Sequence, residues 1–129
     1  NYKDISDALV QFNEIEVETE MFRQASIYSY YFGLMSFAKR KVGEASVQLT
    51  RFMSKLRKEA KRDSSVKLTA KDLDDLVFAD DQYTVRQNAL DDATFKYEML
   101  KGLVRALEQK KDMLQQSSAN KREETKLYK

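Results

Sequence analysis

No proline interrupts this chain, and only three glycines (Gly33, Gly43 and Gly102) stand among its 129 residues. Proline and glycine are the residues that most readily end helices and shape tight turns, so this chain has few places to stop a helix. The apolar spacing points the same way. Over 22–62, Tyr31, Met35, Ala38, Val42, Ala45, Leu49, Phe52 and Leu56 recur at alternating steps of four and three, which is a heptad seam. Asp63, Ser64 and Ser65 break that pattern. Thr69, followed three residues later by Asp72, reads as a capping box that opens a short helix over 70–79. Asp80 or Asp81 is then an N-cap for a second long helix over 81–116. Its seam is Tyr83, Leu90, Ala93, Tyr97, Leu100, Val104, Leu107 and Leu114, with Arg86 and Lys111 as off-pattern members.

Long helices joined by a short connection fold back as an antiparallel hairpin. Ahead of them, Ile5, Leu9 and Phe12 predict a short amphipathic helix over 4–13. Ile15, Val17, Thr19 and Met21 alternate with glutamates, which predicts an extended segment or edge strand. Residues 120–129 are mostly polar and read as a frayed extension of the second long helix or a tail. The expected architecture is therefore all-α: a single helical domain over 1–119 with a polar C-terminal tail.

Composition narrows the chemistry. There is no Cys, His or Trp, hence no disulfide frame, thiol nucleophile, imidazole base or soft-metal site. The acidic groups Asp72/Asp74/Asp75, Asp80/Asp81 and Asp91/Asp92 lack the Gly turn and distal Glu of a calcium loop. The helix dipole also favours acids at helix starts. No Gly-rich phosphate loop or nucleophile elbow is present. The expectation is a non-enzyme with no catalytic residues, no cofactor and no metal. The longest uncharged stretch, Gln24 to Ala38, has 15 residues, short of the ~20 needed to cross a bilayer. Together with the absence of Cys, this predicts a soluble, intracellular protein with no membrane partner.

The net charge is only +2, but its distribution is uneven. Residues 1–38 carry 2 basic and 6 acidic side chains, and residues 39–71 carry 11 and 3. Residues 72–100 carry 2 and 8, and residues 101–129 carry 8 and 4. Such blocks can pair within one chain, pair between copies, or bind an outside polyanion. Arg51, Lys55, Lys58 and Arg62 form one helical stripe, with Arg57 and Lys61 beside it and Lys67 and Lys71 beyond. That stripe can track successive phosphates. It can equally be a solvated face, or pair in part with Asp91 and Asp92 across the hairpin. Lys39, Arg40 and Lys41 read as a solvated shoulder.

Apolar residues also lie off the seams, among them Ile27, Phe32, Leu34, Phe37, Val47, Phe95, Met99 and Leu103. A second apolar stripe calls for a second partner, either the N-terminal helix or another copy of the chain. The candidate homo-oligomer interface is Tyr31, Phe32, Phe37, Phe95, Met99 and Leu103. The aromatic patch Tyr28, Tyr30, Tyr31, Phe32 and Phe37 suits base stacking, but also suits core or interface packing.

The segment Tyr97-Glu98-Met99-Leu100-Lys101-Gly102-Leu103-Val104-Arg105-Ala106-Leu107 is followed by Lys111-Asp112-Met113-Leu114 and by Ser118-Ala119-Asn120-Lys121-Arg122-Glu123. It resembles the C-terminal half of the UvsY-like recombination mediators of bacteriophages. The Tyr30-Tyr31-Phe32 entry into a long helix, its basic exit and the order of elements are similar to that family as well. The resemblance implies a ring-like homo-oligomer in the host cytoplasm that binds single-stranded DNA, displaces a single-strand-binding protein and helps load a recombinase. In the best-known member of that family, basic residues near the end of the long helix carry DNA binding in a Lys-Ala-Arg-Leu context. The nearest counterpart here is Lys55-Leu56-Arg57-Lys58, a different residue order. With it the candidate DNA-binding set is Arg51, Lys55, Arg57, Lys58, Lys61 and Arg62. The residues alone keep a second reading open, a helical assembly or scaffold protein whose charge blocks pair between subunits.

Overall fold

The computed structural model describes residues 17–127. Three helices account for nearly all of them: α1 (Val17–Asp63), α2 (Ala70–Ala79) and α3 (Asp81–Leu127), with no strand among the described residues. The short helix expected over 4–13 lies outside the described residues. The alternation ending at Met21 predicts an extended segment, but Val17–Met21 is helix. Glutamate explains the difference: its straight side chain favours helix and is depleted in strands. Here Glu20 also accepts from Arg23 at 3.2 Å, an i,i+3 pair that a helix brings together and an extended strand does not. The C-terminal end differs too. α3 runs past Gln116 to Leu127, so of the two readings 120–127 is a helical extension and not a tail. This stretch has no Gly or Pro, its Lys, Arg and Glu are good helix formers, and Gln116 reaches Asn120 at 3.4 Å.

The connection matches its sequence signals residue by residue. Ser64 Oγ donates to the Val66 carbonyl at 2.7 Å and accepts from the Val66 N–H at 3.2 Å, closing the end of α1. At Thr69 both halves of the capping box are made. Asp72 N–H donates to Thr69 Oγ1 at 3.1 Å, and Thr69 N–H donates to Asp72 Oδ2 at 3.0 Å. Asp80 ends α2 and starts α3 at once. Its N–H donates to the Val77 carbonyl at 3.2 Å, and its Oδ1 accepts from Gln82 N–H at 2.8 Å.

The described residues fall into two compact units, one formed by 17–37 and 98–127, the other by 38–97. In the 38–97 unit the C-terminal part of α1 leads through α2 into the start of α3, an all-helical turn-back. Ala38, Leu49, Leu73 and Val77 are buried there, and Phe52, Met53, Leu56 and Leu90 are half-buried around them. In the other unit Leu100, Leu103, Val104, Leu107 and Leu114 of α3 are buried. Its α1 segment is tied to α3 by Tyr28 Oη donating to Glu108 at 2.9 Å and by Lys110 Nζ donating to Glu20 at 3.3 Å. None of the eight α1 seam positions named above is exposed. The heptad period therefore selects the inward face correctly.

Thr69→Ala leaves an orphan N–H at the start of α2, and the expected loss is about 1 kcal/mol of unfolding free energy in a urea melt. The Asp72 carboxyl is held below the ordinary carboxylate range, first by the Thr69 backbone N–H and then by the Thr69 hydroxyl. A carboxyl depressed by folding adds stability above its unfolded value, and this is lost as pH falls through the lower folded value. Asp72→Asn should therefore destabilise in melts near neutral pH, an effect that fades only well below about pH 4, under the ordinary aspartate value.

Candidate nucleic-acid interface

Burial of Leu49, Phe52 and Leu56 against the rest of the 38–97 unit fixes the rotation of α1. The cations at other helical angles are turned away from the core. Arg51, Lys55, Lys58, Lys61 and Arg62 are all exposed, and Arg57 is half-buried. Lys61 and Arg62 occupy the last turn of α1, where the carbonyl end of the helix dipole favours positive charge.

The six candidates separate by partner. Arg57 Nη2 bonds Asp74 Oδ1 at 2.8 Å, so this cation ties α1 to α2. Arg62 meets its neighbour Asp63 at 3.1 Å in an exposed pair, worth little in water. Arg51, Lys55, Lys58 and Lys61 form no ion pair among the described residues. The pairing with Asp91 and Asp92 that the sequence left open is not made. Asp91 instead accepts from Gln87 Nε2 at 3.0 Å on its own helix.

One further cation joins them. Arg86 of α3 holds its guanidinium carbon 4.5 Å from the centre of the Phe52 ring. Its Nη1 donates to Gln82 Oε1 at 3.1 Å. Gln48, Arg51, Phe52, Lys55 and Arg86 together line an open groove of about 270 Å³. The candidate set read from the sequence omits Arg86. The signal was present as a cation at a seam position between Tyr83 and Leu90.

The other candidates fall elsewhere. Arg40 and Lys41 both pair with Glu44, at 3.4 and 3.3 Å, which supports the reading of 39–41 as a shoulder. In the unit containing the first part of α1, the Tyr28 and Phe32 rings stack at 5.8 Å and Tyr30 meets Tyr31 edge-on at 5.1 Å. The hydrogen bond to Glu108 raises the Tyr28 pKa, with burial and the Glu108 charge acting in the same direction. Of the proposed oligomer contacts, Phe32, Phe37 and Phe95 are exposed, while Tyr31 and Met99 are half-buried. Leu103 is 2% exposed, enclosed within the chain and so not offered to a second copy. Phe95 belongs to a different unit from the other five, so the six are not one patch of a single unit.

Among the described residues there is no group of three or more His, Cys, Asp or Glu placed to hold a metal ion. No helix among them is long and apolar enough to cross a membrane. Comparison of the chain with protein-family models, curated proteins and solved structures finds no significant match.

The Arg57–Asp74 bond is short, but its side chains are 36% and 48% exposed. Solvent then screens the pair strongly. A double-mutant cycle of Arg57→Ala with Asp74→Ala should give a coupling of about 0.2–1 kcal/mol. A value well above that range would show a pair shielded from water.

Proposed function

We propose that this chain is a non-enzymatic recombination mediator that binds single-stranded DNA through the C-terminal part of α1. The observation that carries this reading is the set of cations Arg51, Lys55, Lys58 and Lys61, which share no acid among the described residues. A helix surface that keeps its positive charge is free to displace the counterions of a phosphate backbone. The resemblance to the UvsY-like mediators supplies the rest of the proposal: a ring-like homo-oligomer in the host cytoplasm, a recombinase to load and a single-strand-binding protein to displace. Several copies would make the second and later contacts effectively intramolecular, so a few cations per subunit suffice. Arg57, committed to Asp74, contributes less than its position in the Lys-Leu-Arg-Lys sequence implies.

A second reading, a helical assembly protein without a nucleic-acid role, is favoured by the exposed apolar side chains. Phe22 is 84% exposed and Phe95 64%, and large rings left in water invite a protein partner.

Fluorescence anisotropy of labelled oligo(dT), with duplex as control, separates the two. The mediator reading expects binding that prefers the single strand and weakens steeply with salt. Lys55→Ala with Lys58→Ala should weaken it at least about tenfold, since two phosphate contacts are lost, with helicity and oligomer size unchanged. Loss of assembly with DNA affinity intact, or no binding at low salt, would contradict it.

A further inference from the structure

Building on the DNA-binding reading, we infer that the groove lined by Arg51, Phe52, Lys55 and Arg86 is a subsite for one phosphodiester group, with Arg86 as its central ligand. Three cations converge on this groove, and none forms an ion pair among the described residues. Like charges gathered without a counterion repel one another, and an incoming anion relieves that repulsion.

Arg86 is the informative member. It occupies a seam position on α3, where an apolar side chain would pack at no electrostatic cost, and it is half-buried. A partly desolvated guanidinium without a carboxylate is unfavourable unless something else compensates it. Two contacts do so in part while fixing its position: the Phe52 ring beneath it, a cation–π contact, and the Gln82 amide oxygen on Nη1. Neither neutralises the charge. The remaining N–H groups keep the planar fork that matches two phosphate oxygens. Arg51 and Lys55, one helical turn apart on α1, stand on the same groove as point charges for the same anion. Gln48 adds a neutral polar side chain at its edge. The subsite draws on both α1 and α3, so it exists only when the 38–97 unit is folded. Phe52 is a positioning residue: it sets the guanidinium in place and touches no phosphate.

The test is oligo(dT) anisotropy across a salt series with the full chain. Arg86→Gln removes the charge. It should weaken binding about tenfold, and make the slope of log affinity against log salt shallower by about 0.7, the share of one phosphate on a single strand. Arg86→Lys keeps the charge but not the fork, so it should restore the slope while leaving affinity several-fold below wild type. Phe52→Leu, which preserves bulk, should behave as Arg86→Lys does. A well-folded Arg86→Gln protein with wild-type affinity and slope overturns the subsite yet leaves the wider DNA reading standing. Absence of oligo(dT) binding by the wild type overturns both. If Arg86→Gln melts early, Arg86→Lys decides: unchanged affinity overturns the forked contact, and a several-fold loss at unchanged slope supports it.

Discussion

The packing of Leu49, Phe52 and Leu56 into the 38–97 unit governs what the rest of its surface can be. A helix that buries one stripe has every other angle left for polar groups. On α1 those angles carry Arg51, Lys55, Lys58 and Lys61, with Arg62 beside its neighbour Asp63. What keeps them positive is the local commitment of the acids that follow in the chain. Asp72 completes the Thr69 capping box, Asp80 caps α3, Asp74 takes Arg57, and Asp91 accepts from Gln87. These acids answer to backbone ends and near neighbours before they answer to the stripe. The basic and acidic blocks therefore sit close in sequence without cancelling. An electrostatic surface of this kind follows from capping chemistry as much as from net charge.

Much of the fold was legible because its signals are local. The 4,3 seam of α1, the Thr69–Asp72 box and the Asp80 cap each depend on residues within a turn or two of one another, and each is found where the spacing puts it. The errors share a cause. In Val17–Met21 and 120–127 the alternation and the polarity point away from helix, but the helix-forming tendency of Glu, Lys, Arg and Gln outweighs them. With no glycine or proline to stop them, both helices extend into those stretches. Leu103 differs from its expected place at an interface for another reason. It lies one position before the seam residue Val104, and α3 buries a broader face there than a strict heptad stripe, taking in both.

The candidate site was legible as a list of cations but not as an arrangement. Sequence spacing placed Arg51, Lys55, Lys58 and Arg62 on one stripe. It could not show that Arg57 is spent on Asp74, or that Asp91 bonds Gln87 on its own helix. Arg86 was visible only as an irregularity in an apolar seam. Its partner Phe52 lies on another helix, and such pairings across the turn-back depend on tertiary register. An off-pattern cation in a seam, facing an aromatic ring, is a feature of this chain that spacing flags and only packing interprets.

On the proposed function, the cations left without acids in the 38–97 unit are the ones that meet DNA. Side-chain nitrogen NMR of the Arg and Lys groups during addition of oligo(dT) addresses it most directly. The signals of Arg51, Lys55, Lys58, Lys61 and Arg86 should move together, while Arg40 and Lys41, held by Glu44, stay in place. Shifts confined to the 39–41 shoulder or to the cations of 101–124, or no shifts at all, would contradict it.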